Sequence, residues 1–492
     1  MMRPSTPQPL SMAEAILPIA ALIVLVGSSY LLFGDAGAAG PNQVALVIAS
    51  LVATFLAWRR GHNLNALREA AVASCSSGLG AIFILFAVGA LIGTWAMSGT
   101  LLAMVYYGLQ LLSPNYFYMA TTIICAIVSA SIGSSWTVVG TIGIGLMGIS
   151  LNMGLDPGIT AAAIISGAYF GDTTSPLSDS TNLAATTAGV DLYRHIGETV
   201  LTSGMALLLA IIVFWFLGRP GDFDATEKIV SIQTTFHVAP ILFLPVVLVI
   251  AMAAMKMPPF TTIMLGALAG GLIAVIFAPD RVIAFADKAH SLPGWLALIK
   301  GVWQALASGY VSTTGHATID VLVSRGGMDS MLNTIWLILT ALAFGGVVEK
   351  IGILEQITAP ILRAAKSTGA LVTALVGAVV ATNIVTADQY IAIVLPGRIF
   401  KGAFATRGLA PVVLSRSVGA SATPTSALIP WNSCGAYMAA TLGVSTWAYL
   451  PYAVFNFASP LLLIVMAYAG LRMQTTAADP APQNRQTTEQ DH

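Results

Sequence analysis

The chain has 492 residues, of which 57% are apolar and only 9% charged, and its formal net charge is zero. A soluble domain carries roughly a quarter charged residues, so this composition, with a mean hydropathy of +0.84, excludes a soluble fold and points to an all-α polytopic membrane protein. No basic block suggests nucleic acid. Three cysteines in or beside apolar segments, Cys75, Cys125 and Cys434, read as packing residues rather than as a disulfide framework or a metal cluster.

Taken in chain order, apolar stretches long enough to cross a bilayer core fall at 12–33, 42–58, 70–97, 116–133, 196–217, 239–255, 260–277, 331–348, 371–385 and 454–469. The first follows a single arginine, Arg3, without a small-residue cleavage site, and is expected to be retained as a helix. Further helices flank polar interruptions, giving roughly 11–13 crossings. Residues 1–217 form a first transmembrane half with its repeat core at about 70–217, and residues 218–235 a polar linker with Arg219, Asp222, Asp224, Glu227 and Lys228. Residues 236–472 form a second half with its core at about 331–469, and residues 473–492 a disordered tail.

Two halves are expected because the pattern Gly-x-x-x-(Ser/Thr)-Pro-x-Ser occurs at 171–178 and again at 419–426. Gly189-Val190 echoes Gly443-Val444, and the apolar stretch ending at Gly99 echoes the one ending at Gly352. Arg59, Arg60 and Arg68 precede the first of those stretches, whereas Lys350, Arg363 and Lys366 follow the second. Basic loops favour the cytoplasm, so equivalent helices are expected to run oppositely, as two inverted-topology repeats with broken helices at the membrane midplane.

Proline, glycine and hydroxyls at membrane depth open the backbone, which is tolerated only inside protein or beside a cavity. Ionisable residues there mark function. In the first break Asp172 and Asp179 stand among Ser175, Ser178 and Asn182; in the second, Thr423 and Ser426 remain but alanines occupy the positions matched to the aspartates. Asp388, near the position of Ser135 in the first half, supplies the missing carboxylate. Carboxylate, hydroxyl and amide oxygens suit a small hard cation such as Na+. The bland alternatives are an exposed turn for the first break and an inert, base-paired Asp388. Glu349 beside Lys350 reads as an interfacial ion pair, and His195 and His316 as structural histidines with a pH sensor as the competing reading.

The run Ser166-Gly-Ala-Tyr-Phe-Gly-Asp-Thr-Thr-Ser-Pro-Leu-Ser-Asp-Ser-Thr-Asn-Leu-Ala-Ala, followed by Gly189-Val-Asp-Leu-Tyr-Arg-His195, resembles the NhaC family of sodium/proton antiporters. Val88-Gly-Ala-Leu-Ile-Gly-Thr-Trp, Leu322-Val-Ser-Arg-Gly-Gly-Met328, Asp388-Gln-Tyr390 and Leu428-Ile-Pro-Trp-Asn-Ser-Cys-Gly-Ala436 fit it in the right order, from about residue 70 to 460. The resemblance implies exchange of Na+ for H+ across a bacterial cytoplasmic membrane by a multi-pass protein. Its expected partners are the two ions and the bilayer, it needs no cofactor, and a homodimer is left open.

On this reading Asp172, Asp179 and Asp388 bind either a proton or Na+, with Ser175, Ser178, Asn182, Thr423 and Ser426 as neutral ligands, because a carboxylate cannot hold both ions well. The alternative is a sodium- or proton-coupled carrier of a small organic acid or amino acid, favoured by an arginine in the site, for which Arg416 is the candidate. A channel fits broken helices less well. No nucleophile elbow, histidine cluster or phosphate loop suggests an enzyme.

Overall fold

The computed structural model describes residues 8–218, 229–230, 238–287, 289, 291–313, 320 and 323–475. Most of the expected linker, nearly all of the expected tail, His316 and the charged residues Arg219, Asp222, Asp224, Glu227 and Lys228 lie outside them. Among the described residues the chain is helical, with two isolated β-bridges and no named strand.

Helices α1 (Met12–Phe33) and α2 (Pro41–Arg59) pack against each other at the amino terminus. The stretch expected as one span at 70–97 is two helices, α3 (Leu64–Ser77) and α4 (Leu79–Ser98), interrupted at Gly78. A Cβ at Gly78 would lie 2.2 Å from Leu342 Cδ1, so glycine there admits a neighbouring helix. The first half continues through α5 (Thr100–Leu111), α6 (Phe117–Ile132), α7 (Ser135–Asn152), α8 (Pro157–Thr174), α9 (Asp179–Ala188) and α10 (Leu192–Leu217). Then come α11 (Pro240–Ala254), α12 (Pro259–Phe277), α13 (Pro279–Ala286) and α14 (Gly294–Ser308). The second half holds α15 (Asp329–Lys350), α16 (Ile353–Ala364), α17 (Thr368–Thr386), α18 (Gln389–Thr406), α19 (Pro411–Ser426), α20 (Ser433–Leu442), α21 (Thr446–Tyr452) and α22 (Val454–Tyr468). Among the described residues eight helices are long and apolar enough to cross a membrane, or nine if the bent pair α21 and α22 is one span. The protein is a multi-pass membrane protein.

From α4 to α9 and from α15 to α20 the chain follows one plan. Left-handed hinges recur at Gly99 and Gly352, at Gly133 and Ala387, and at Gly189 and Gly443. Pro157 and Pro411 each open a helix, where a missing amide hydrogen costs nothing. These pairs lie 253 or 254 residues apart. Side-chain bonds keep the same register: Ser129 Oγ donates to the Ala168 carbonyl, and Asn383 Nδ2 to the Ala422 carbonyl.

That register corrects the equivalence read from the proline motif, whose two copies lie only 248 residues apart. Pro176 falls in the open chain after the C-cap Ser175, whereas Pro424 is inside α19. A proline within a helix cannot donate to the carbonyl four residues back, and Ser459 Oγ bonds that Ala420 carbonyl instead, at 2.7 Å. The true break in the second half follows Ser426.

Helices α3 and α4 run antiparallel to α15. Successive close approaches pair Gly346 with Ala70 and Ser74, Gly78 with Leu342, and Gly89 with Met331. Accordingly His62, in the loop before α3, lies near Lys350 at the end of α15; burial and then that charge hold its imidazole below the ordinary value. Two of the basic groups noted in the sequence therefore share one end of the molecule. Glu349 and Lys350 are exposed there and form no ion pair with each other.

Candidate functional site

The first-half site is built where two chain breaks touch. Gly167 and Gly171 on α8 seat it against α6, since a Cβ on either would fall 2.3 Å from the Thr122 carbonyl oxygen or 2.1 Å from the Ser129 carbonyl carbon. Small residues four apart allow this approach between helices in lipid. Gly133, at φ +80°, brings the break between α6 and α7 onto that between α8 and α9, where a Cβ would meet the Leu177 backbone at 2.6 Å. Asp172, in the last turn of α8, is thereby held beside the first turns of α7 and α9.

Asp172 is buried and its carboxylate is enclosed by hydroxyls. Ser135 Oγ donates to Oδ2 at 2.5 Å, and Ser178 Oγ and Ser180 Oγ lie 2.7 and 2.9 Å from Oδ1. The Asp172 carbonyl, freed by the end of the helix, lies 2.6 Å from Ser178 Oγ, 3.0 Å from Ser180 Oγ and 2.8 Å from Thr181 Oγ1. Hydroxyls suit either state of the site: they donate to an ionised carboxylate and, turned round, offer lone pairs to a small cation. The positive ends of α7 and α9 favour negative charge at the same point.

A cavity of about 670 Å³ reaches this pocket, and its wall includes Asp172, Asp179 and Asp388. The structure thus brings together all three carboxylates picked out in the sequence. They share a cavity rather than one coordination sphere, because no group of three or more His, Cys, Asp or Glu among the described residues could hold one ion. Asp179 is exposed. Asp388 is buried and caps α18, its Oδ1 accepting from the amides of Tyr390 and Ile391 at 2.7 and 2.9 Å. It forms no ion pair among the described residues, so the base-paired alternative is not what the structure shows.

The expected neutral ligands divide. Ser178 belongs to the Asp172 pocket. Ser175 accepts from the Leu177 amide at 3.3 Å, and Asn182 Nδ2 bonds the carbonyls of Pro176 and Ser178 at 3.1 and 2.8 Å, so both brace the break instead of lining the cavity. Ser426 lies 2.7 Å from the Thr423 carbonyl and 3.0 Å from Gln389 Oε1, and neither Thr423 nor Ser426 lines the cavity. Arg416 is also elsewhere, buried against Glu198 at 3.4 Å and the Arg472 carbonyl at 3.0 Å. Among the described residues the base in the cavity wall is Lys256, in the turn after α11.

Ser180 stands in the hydroxyl-rich run read from the sequence as oxygen ligands, whereas Ser135 as a ligand and Gln389 and Cys434 as cavity residues were not legible there. Cys434 is buried but lines the cavity and donates to Gln389 Oε1 at 3.1 Å, so it is more than packing. Trp136 stacks on Tyr437 at 4.0 Å between ring centres, and the Tyr437 hydroxyl bonds the Trp136 carbonyl at 2.7 Å, joining the two halves beside the cavity.

The chain as a whole is similar to known proteins. Residues 9–219 and 167–471 match the model of a family described as the Na+/H+ antiporter family. The chain is 36% identical to the Na+/H+ antiporter NhaC of Alkalihalophilus pseudofirmus over 88% of its own length and 90% of that protein's. It is 35% identical to the malate-2H+/Na+-lactate antiporter of Bacillus subtilis, covering 93% and 94% of the two chains. With the arginine/ornithine antiporter ArcD of Halobacterium salinarum it shares 31% identity over 97% and 96%.

Proposed function

This chain belongs to the Na+/H+ antiporter family, and from that premise we propose that it exchanges Na+ for H+ across a bacterial cytoplasmic membrane by alternating access. The observation that carries the reading is the Asp172 pocket: one buried carboxylate, three hydroxyls on its oxygens, and a cavity leading to it. Protonated, Asp172 is neutral and needs no counter-ion; ionised, it pairs with a small cation that the surrounding hydroxyls strip of water. One ion therefore leaves when the other binds. Asp388 and Asp179 hold the cavity negative and draw the cation inward. The antiparallel run of α4 and α15 supports an inverted relation between the halves, the arrangement suited to opening one site to either side in turn. In sealed vesicles with an imposed pH gradient, added Na+ discharges the gradient. No discharge by Na+ or Li+ would reject the reading.

A second reading has its own observation. The cavity is far larger than a bare Na+ needs, and Lys256 in its wall offers a positive charge to a carboxylate. The names of the malate/lactate and arginine/ornithine relatives are consistent with such cargo. Saturable uptake of an organic acid or amino acid, lost in Lys256→Gln, would establish it.

A further inference from the structure

In the 254-residue register, Asp172 corresponds to Ser426, Ser135 to Gln389, Ser178 to Asn432 and Ser180 to Cys434. The bonds correspond too. As Ser135 bonds Asp172, Ser426 Oγ bonds Gln389 Oε1, and Cys434 Sγ donates to that same oxygen. As Ser178 caps α9, Asn432 caps α20, its Oδ1 accepting from the Cys434 amide at 3.0 Å. Beside this second pocket stands Tyr169, one turn before Asp172 on α8. It is fully buried, and its hydroxyl comes close to Ser426 and Cys434 without making a hydrogen bond of good geometry to either. A buried hydroxyl without a partner is costly, so this one marks room for a ligand that the protein does not itself supply.

We propose that Ser426 Oγ, Gln389 Oε1 and the Tyr169 hydroxyl form a second cation subsite, which takes a monovalent alkali cation through neutral oxygens. Ser426 acts as its switch. One hydroxyl proton cannot serve both acceptors within reach, Gln389 Oε1 at 3.0 Å and the Thr423 carbonyl at 2.7 Å. Turned to Thr423, it leaves lone pairs on Ser426 and on Gln389 for the ion. Gln389 and Cys434 line the cavity, which gives the ion its way in. Neutral oxygens take up no proton near neutral pH, so occupancy of this subsite is insensitive to pH, in contrast to Asp172. The proposal rests on the exchange reading only for the choice of Na+ as the ion.

Cys434 reports on the subsite directly. In full-length protein carrying Cys75→Ser and Cys125→Ala, it is the sole thiol, and its rate of modification by methyl methanethiosulfonate is measured with Na+ against equal choline. Na+ slows modification saturably, and does so still when Asp172→Asn is added. Tyr169→Phe and Ser426→Ala, each removing one oxygen, weaken that protection about fivefold or more. Three results would overturn the subsite: no effect of Na+ on the rate, protection that vanishes with Asp172→Asn, or protection unchanged in both oxygen-removing variants, which would mean that Tyr169 faces a trapped water only. Protection of Cys434 without any Na+-driven discharge of a pH gradient would instead retain the subsite and reject the exchange reading.

Discussion

The two halves of this protein build one scaffold and fill it with unequal chemistry. Each crosses a helix hinged in the left-handed region with a second helix that opens one turn later, and each aligns a polar side chain from one break with a polar side chain from the other. In the first half that pair is Ser135 and Asp172; in the second it is Gln389 and Ser426. Only the first pocket can hold a proton, although both offer oxygen to a cation. On the reading proposed above, the shared scaffold supplies geometry, and one carboxylate makes the site able to exchange.

The sharpest way to break that comparison is Asp172→Asn. It keeps the size of the side chain, turns one acceptor oxygen into an NH2 donor that the surrounding hydroxyls can rotate to accept from, and removes the charge, so Na+-driven discharge should fall to below about 1% of wild type while thermal stability in detergent is retained. Full activity would remove Asp172 from the exchange. Next comes Gly171→Ala, whose Cβ would strike the Ser129 backbone. Overpacking of this kind costs about 1–3 kcal/mol, read as a lower melting temperature and weaker exchange together. Asp388→Asn keeps an N-cap residue while deleting a cavity charge, and is expected to cut exchange about tenfold with little change in melting; equal loss in Asp388→Ser would assign the effect to charge rather than to capping.

The smallest effect tests the hinges. Ala387 holds φ +56° where its counterpart is Gly133. A left-handed alanine is strained by about 1–2 kcal/mol, so Ala387→Gly should leave stability unchanged or raise it slightly, whereas Gly133→Ala, whose Cβ would also meet the Leu177 backbone, should lower it. The reverse order would show that the two hinges are not equivalent.

Much of this was legible in the sequence, because spans in lipid are set by length and apolarity: α1 and the body of most other long helices fall where hydropathy places them. Asp172 and Asp388 stood out because charge is scarce. The register did not come from the most conspicuous motif, since Pro176 and Pro424 share neighbours but one sits in a break and the other within a helix. The weaker echoes of Gly99 with Gly352 and Gly189 with Gly443 carried the right spacing, because left-handed hinges demand glycine more strictly than breaks demand proline. Ser135 lay hidden for a different reason. A serine thirty-seven residues before Asp172 becomes its partner only through the close approach of α6 and α8, which pairs of glycines permit but do not announce.

The central claim is that Na+ and H+ compete for one buried carboxylate. Proton release on adding NaCl to purified protein in weakly buffered solution, compared with choline chloride, tests it without transport. Wild-type protein is predicted to release protons saturably, with the apparent Na+ affinity weakening as pH falls, and Asp172→Asn to release none. Release that persists undiminished in Asp172→Asn, or Na+ binding to wild-type protein that liberates no proton at any pH, would contradict the account.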